Sequence, residues 1–249
     1  MTEGSNDNIL VIDVGATSIK SAVVNHEGHL LHTVRKRKTP RPCAPSELVE
    51  ILLQRIVREK PNRVVIGIPT ECRDGVALTG GNLSRARGDN TLIDTDLVLA
   101  WRGYHLQEEL IKKCECEVVV LNDAALAAVG CVVGVGNELV LALGTGFGVA
   151  LTTDGVVQAI KDYGDESFEE GTYDSRLGED ARRADPAMWR SSLCRAAKAL
   201  TQTYSVESVW LAGGNAKRLS VQDFEGVSAK FSIAGNGAPF IGAAKIWKN

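Results

Sequence analysis

The chain has 249 residues, 44% of them hydrophobic, enough for one large core or two modest ones, so composition by itself establishes only a soluble globular protein. Its 28 basic and 31 acidic residues give a net charge of −3. The longest like-charge run, Arg35-Lys36-Arg37-Lys38, suits a solvated strand end and is a poor footprint for nucleic acid. No apolar stretch nears the ~20 residues that cross a bilayer, and the polar start from Thr2 to Asn8 is not a signal peptide. The expectation is a cytoplasmic protein without nucleic-acid or membrane partners.

In chain order, Ile9 to Val14 is a β-branched apolar run that ends in Gly15-Ala16-Thr17-Ser18, and Ile19 to Asn25 alternates again before a turn at Glu27-Gly28. This predicts strand, glycine turn, strand. An amphipathic helix follows, with Val49, Leu52, Leu53, Ile56 and Val57 on one face and Ser46 as its N-cap. Strands are predicted over Val64 to Ile68 and Val118 to Leu121, the second passing through Asn122-Asp123 into a small-residue helix, Ala124 to Val133. Residues 137 to 157 repeat the opening: a strand to Leu143, the turn Gly144-Thr145-Gly146-Phe147-Gly148, and a strand Val149 to Thr153. A shift of 129 positions lays Asn8 on Asn137, Leu10 on Leu139, Val11 on Val140 and Gly15 on Gly144, the mark of an internal duplication. A long helix around Met188 to Thr203, a strand Ser208 to Ala212, a glycine-led helix from Gly213 and a last helix over 239–247 complete the pattern. Alternating strands and helices predict α/β architecture. Thr79 to Gly103 and Lys161 to Asp185 read as long irregular stretches facing the substrate.

A glycine turn between strands can aim several backbone N–H groups at one point, which is how phosphate oxygens are cradled; many such turns are only hairpins. Here two occur as a duplicated pair, each with a hydroxyl, Thr17 and Thr145, while no G-x-x-x-x-G-K-[ST] exists and the second turn opens a strand, not a helix. Asp13 in the first copy matches Ala142 in the second, so one half alone carries a carboxylate. Beside phosphate, Asp13 suits orientation of Mg²⁺ through its water shell; a turn acid bonding its own backbone is the plainer alternative. Asn122-Asp123 by itself reads first as a helix N-cap; at the C-terminal end of a strand, however, the side chain would project into a ligand crevice, where an ionised Asp could take a proton from an attacking hydroxyl. Six cysteines (Cys43, Cys72, Cys114, Cys116, Cys131, Cys194) are scattered. The close pair Cys114-Glu-Cys116 lacks partners at metal-ligand spacing, so all six read as reduced thiols; His26, His29 and His32 bunch in a hairpin and make no metal centre.

Taken together, Asp13-Val-Gly-Ala-Thr17, Leu121-Asn-Asp-Ala-Ala125, Leu143-Gly-Thr-Gly-Phe-Gly148, Gly171-Thr-Tyr-Asp174, Leu211-Ala-Gly-Gly-Asn-Ala-Lys217, Gly235-Asn236 and the ending Phe240 to Trp247 resemble the ROK sugar kinases (repressor, open reading frame, kinase), above all the short glucokinase and polyphosphate-glucokinase-like members. The resemblance implies two actin-like, ribonuclease H-like lobes with a cleft between them, an N-terminal lobe over 1–121 and a C-terminal lobe over 122–249 whose last helix packs back on the first. It also implies phosphoryl transfer from ATP or polyphosphate, with Mg²⁺, to a hexose hydroxyl, glucose by default. Asp123 is then the base; Asp13, Gly15, Thr17, Lys20, Gly144, Thr145 and Gly146 hold the phosphates; Gly213, Gly214 and Asn215 lie by the adenosine. A homodimer is expected. No zinc is expected, since the Cys-rich segment of many relatives is absent, and no DNA-binding module, since the first core strand begins near Ile9.

The departures concern the sugar. Where relatives carry Glu-x-x-His or Glu-x-Gly-His, this chain has Asp162-Tyr-Gly-Asp165, so Asp162 and Asp165 together with Asn122 and Asp123 are the sugar-facing candidates, and a donor is replaced by an acceptor. The remaining sugar-facing Asn is Asn82 when counted from Gly75, or Asp96 when counted back from Trp101; Asn82 is preferred. Thr70 stands where relatives have Gly after Pro69, which narrows the approach. A catalytically weak sugar- or nucleotide-binding regulatory protein, or a kinase for another small alcohol, is the alternative.

Overall fold

The computed structural model describes residues 8–85, 92–235 and 237–248. The chain forms two compact units, one of residues 1–123 with 239–249, the other of residues 124–238. The first unit is built on a five-stranded sheet of β1 (Ile9–Val14), β2 (Ser18–Val24), β3 (Arg35–Lys38), β4 (Arg63–Ile68) and β5 (Glu117–Asn122), in the order β3-β2-β1-β4-β5. β1, β2 and β3 form an antiparallel meander, while β4 joins β1, and β5 joins β4, in parallel. Helix α1 (Pro45–Glu59) makes the crossover to β4; α2 (Thr95–Trp101) and α3 (Leu106–Ile111) lead to β5.

The second unit repeats this plan after α4 (Asp123–Cys131). Strands β6 (Asn137–Leu143), β7 (Phe147–Thr153) and β8 (Val156–Gln158) form the meander, and β9 (Ser208–Ala212) and β10 (Lys230–Ile233) the parallel pair, in the order β8-β7-β6-β9-β10. The duplication seen in sequence is thus a duplication of topology. Its second turn is one residue shorter, Leu143 pairing with Phe147 where Val14 pairs with Ile19. Short α5 (Tyr173–Leu177) and α6 (Glu179–Ala184), then long α7 (Pro186–Tyr204), link β7's side of the sheet to β9, and α8 (Ala238–Ile246) ends the chain.

Strand periodicity sorts each core into faces. Leu139, Leu141 and Leu143 of β6 pack with Leu193, Ala196, Ala197 and Leu200 of α7, while Val140 packs with Ala124, Ala127 and Ala128 of α4. Alanines let α4 approach the sheet closely. In the first unit Leu10, Ile12 and Val14 share a core with Leu48, Leu52 and Ile56 of α1 and with Trp101. The connection from α4 to β6 closes on Glu138, whose carboxylate accepts N–H bonds from Val133 (3.2 Å), Gly134 (2.7 Å) and Val135 (3.4 Å) and from the Trp210 indole (2.7 Å). Burial pushes this carboxyl up, but those four donors outweigh it and hold it below the usual carboxylate range.

Several sequence expectations are corrected. Helix α1 starts earlier: Ala44 is its N-cap without a side-chain bond and Pro45 is its first residue, so Ser46 lies inside. Its buried face is rotated to include Leu48 and Ile51, and Val57 stands 66% exposed. The stretch 79–103 contains a 3₁₀ turn, Gly81–Ser84, and α2, which Asp94 caps through N–H bonds from Asp96 and Leu97; residues 86–91 within it lie outside the described residues, as do Thr2 to Asp7 and Asn236. The stretch 161–185 holds a two-residue ladder, 167–168 with 171–172, besides α5 and α6. The glycine-led helix from Gly213 is a single 3₁₀ turn, Ala216–Arg218. Seven residues or fewer carry too little periodicity to be read from sequence.

Trp101 is fully buried and its indole N–H donates to the Cys43 carbonyl at 2.8 Å. Trp101→Phe keeps much of the packing but leaves that carbonyl unpaired in the core, so urea unfolding should show a loss of about 1–3 kcal/mol.

Candidate functional site

In a trans peptide the N–H of one residue points opposite to the C=O of the residue before it, so holding a turn's carbonyls on one side presents its amides on the other. The first turn, between β1 and β2, is held this way. Thr39 Oγ1–H donates to Gly15 O (2.7 Å), the Arg41 guanidinium donates to Ala16 O, and Thr39 N–H donates to Thr17 O (3.2 Å). The amides of Ala16, Thr17 and Ser18 are thereby turned the other way. Asp13 and Lys20 are directly opposed across the hairpin and form an ion pair, Nζ to Oδ2 3.0 Å, with the Asp13 side chain 17% exposed. Asp13 thus has a lysine of its own hairpin beside it.

The second turn obeys the same logic with different residues. Asn215 Nδ2 donates to Gly144 O (3.0 Å), Glu179 N–H to Thr145 O (2.9 Å), and Gly144 N–H to Gly146 O (3.1 Å). Behind the turn lies Asp174, buried, whose Oδ1 accepts the Phe147 N–H at 2.7 Å; a Cβ on Gly146 would come within 2.6 Å of that carboxylate oxygen. Gly146 is thus required by Asp174 as much as by any ligand. Gly213 has φ +87°, and a Cβ there would stand 2.4 Å from Leu143 O, so it is needed for the close approach of β9's end to β6. Gly144 and Gly214 have nothing within 4 Å of such a Cβ.

Asn215, expected beside adenosine, is 7% exposed, with its N–H on Leu143 O (3.0 Å) and its amide on Gly144 O, so it also braces the second glycine turn from behind. Glu179 completes the brace. Hydrogen bonds from Arg182 first, then Arg183 and Asn215, hold its carboxyl down to about 2 against the opposing effect of burial. The Asp162–Asp165 segment meets the same support: Asp174 N–H donates to Gly164 O (2.9 Å), and Asp162 Oδ1 accepts the Gly164 N–H (3.0 Å). Asp162 and Asp165 are both exposed.

In the first unit the corner after β4 gathers the other candidates. Asn82 N–H donates to Pro69 O (3.2 Å), and Asn122 Nδ2 donates to Thr70 O (3.1 Å). Thr70 is fully buried, its hydroxyl bonded to Thr79 O at 2.6 Å, so it stiffens the corner. Asp123, half-buried, follows Asn122 as the first residue of α4. Arg41 reaches across from the glycine turn to Asn82 O and to Arg85 O (3.2 Å), while Arg85 Nε donates to Asn82 Oδ1 (3.2 Å). Asp96 is exposed on α2 and its N–H belongs to the Asp94 cap, outside this group. Arg41, Asp174 and Glu179 escaped the sequence reading. Asp174 alone had a signal, Gly171-Thr-Tyr-Asp, where Thr172 and Ser175 form a capping box that sets Asp174 in the first turn of α5.

A model described as the ROK family matches residues 9–159, more than half of the chain. The chain belongs to the ROK family. The glucokinases of Streptomyces coelicolor and Streptomyces lividans are each 28% identical to this ROK protein over 142 residues, which cover 55% of it and 41% of each of them, less than half of their length. Among solved structures, the inorganic polyphosphate/ATP-glucomannokinase of Arthrobacter sp. strain KM matches with a TM-score of 0.77 at 23% identity, covering 98% of this chain and 100% of its own. A ROK family glucokinase of Streptomyces griseus, in complex with glucose and AMPPNP, matches at 0.69 and 19%, covering 96% and 98%. A ROK family transcriptional regulator matches at 0.65 and 15%, covering 96% of this chain and 77% of its own. These likenesses show the actin-like α/β fold with two lobes. Among the described residues no helix is long and apolar enough to cross a membrane, and no cluster of three or more His, Cys, Asp or Glu is placed to hold a metal.

Because the folded Glu179 carboxyl lies below the ordinary value of 4.5, its stabilisation is fully present above about pH 4.5 and is lost as the pH falls toward 2. Glu179→Gln should cost about 1–3 kcal/mol at neutral pH, and the gap from wild type in chemical denaturation should close across that acid window.

Proposed function

We propose that this ROK protein is a sugar kinase that moves a phosphoryl group from ATP or polyphosphate to a hexose hydroxyl, glucose first among acceptors, with Asp123 as the general base. The observation that carries this reading is Arg41, whose single guanidinium spans the first glycine turn and the Asn82 segment. Asn82 in turn shares the Pro69-Thr70 corner with Asn122, next to Asp123. Phosphate-side and acceptor-side candidates thus belong to one hydrogen-bonded frame within the first unit. In the transfer, Asp123 accepts the hydroxyl proton as that oxygen bonds to the terminal phosphorus and the bridging P–O bond of the donor breaks.

The amides presented by the two turns stabilise phosphate charge, as oriented backbone N–H groups do. Gly213 and Gly214 are assigned to the adenosine side, where the open space beside Gly214 leaves room for a flat ring. Asn215 acts through the turn it braces. Mg²⁺, when bound with the donor, neutralises phosphate charge; the hard carboxylate oxygen of Asp13 fits a hydrated ion, with Lys20 as its ion partner otherwise. Asn82 and Asn122 are assigned to sugar hydroxyls; Asp162 and Asp165 keep the sugar-facing role that the family pattern gives them. A glucomannokinase named for both donors and a glucokinase carrying glucose and AMPPNP share this fold, which supports the donor pair and the acceptor class.

A second reading, a sugar- or nucleotide-binding protein with weak chemistry, is favoured by the Asp162–Asp165 segment. There a donor His of the family pattern is an exposed Asp, and Asp162 is engaged by the Gly164 N–H. A coupled assay with Mg-ATP over hexoses, amino sugars and polyols, repeated with polyphosphate and direct product detection, separates the two. Turnover with one sugar supports the kinase, and binding without turnover supports the second reading. Asp123→Asn should lower kcat about 10²- to 10⁴-fold with nucleotide affinity nearly unchanged; retention of more than about a tenth of wild-type kcat would remove Asp123 from its role. Arg41→Lys cannot fork to the same carbonyls and should lower kcat/KM at least about tenfold while the protein stays folded by circular dichroism.

A further inference from the structure

Outside the candidate site, the structure brings together two nucleophilic side chains that the kinase reading does not use. Cys114 and Cys116 lie in the loop between α3 and β5, with sulfurs 3.0 Å apart and both residues half-buried. The loop is anchored at each end. Cys114 N–H donates to Leu110 O at 3.0 Å, and Glu117 N–H donates to Asn62 O at 2.9 Å at the point where β5 enters the sheet. The approach of the sulfurs is therefore built into ordered backbone. Among the other cysteines, Cys43 is buried with its thiol pushed up to about 12 by burial, and Cys72 is pushed up to about 11 by burial as well.

We propose that Cys114 and Cys116 form a reversible modification site, closing to an intramolecular disulfide when the protein meets a hydroperoxide. Burial, then contact with the Cys114 sulfur, pushes the Cys116 thiol up, which suits it to the resolving role in the steps that follow. The Cys114 thiolate attacks the near oxygen of the peroxide, the O–O bond breaks, and the leaving alkoxide or hydroxide takes up a proton, leaving a sulfenic acid on Cys114. The Cys116 sulfur then attacks that sulfenic sulfur. The S–S bond forms, the S–O bond breaks, and water departs with the Cys116 proton. Two thiols are oxidised and one peroxide is reduced, so electrons balance. A thiol reductant reverses the step by exchange. With the resolving thiol already in contact, closure should outrun further oxidation of Cys114.

The test uses the reduced full chain treated with hydrogen peroxide, alkylated and digested without reductant by a glutamate-specific protease, which cuts after Glu115 and Glu117. The expected result is that the peptides holding Cys114 and Cys116 stay joined, two hydrogens lighter than their sum, while Cys43 and Cys72 remain reduced, and that dithiothreitol restores both thiols. In Cys116→Ser, Cys114 should be trapped by dimedone as sulfenic acid, with an unchanged circular dichroism spectrum. Both thiols still alkylatable after peroxide, pairing of either with another cysteine, or separate sulfinic acids would each overturn the proposal. None of these outcomes depends on the kinase reading.

Discussion

The antiparallel arrangement of C=O and N–H in a trans peptide governs which groups the glycine turns of this protein can present. A glycine turn left to itself has carbonyls and amides that can swap sides, and a carbonyl facing phosphate is repulsive. In both units the carbonyls are held from behind: by Thr39 and Arg41 in the first, by Asn215 and the Glu179 amide in the second. The two solutions use unrelated residues on equivalent turns of equivalent sheets. The two copies of the turn carry different bracing, and only one has a carboxylate, Asp13, against Ala142 in the other.

From this constraint the rest of each site follows. Arg41, once committed to Ala16 O, extends to Asn82 and so joins the turn to the corner after β4. That corner is itself fixed by the buried Thr70 hydroxyl, and through Thr70 O it also orients Asn122. In the second unit Asp174 plays the comparable part, since it takes the Phe147 N–H, fills the space beside Gly146 and holds Gly164 in the Asp162–Asp165 segment. Ion pairs contribute by being shared. Glu179 is stabilised by Arg182 and Arg183 while its backbone and side chain support the turn and Asn215.

Much of the fold was legible because burial imposes a period. The apolar runs of β1, β4 and β6 and the long helix α7 could all be read, as could the 129-residue repeat. Short elements were not: α2 depends on the Asp94 cap, and the 3₁₀ turn at Ala216–Arg218 looked like the start of a longer helix. The face of α1 was misread by part of a turn because Val57 is apolar yet exposed, a common condition for single surface residues.

The sequence by itself determined the α/β class, the paired glycine turns, the lone Asp13 and the position of Asn122-Asp123 at a strand end, because these depend on residues close together in the chain. Tertiary structure decided which residues serve those motifs. Arg41 lies 25 residues from Ala16 and 41 from Asn82, Asp174 lies 27 from Phe147, and Asn215 lies 71 from Gly144. A hydrogen bond requires two groups to meet within about 3 Å, and at such separations only the packed sheets and helices bring them there, leaving no periodicity along the chain to reveal the pairing.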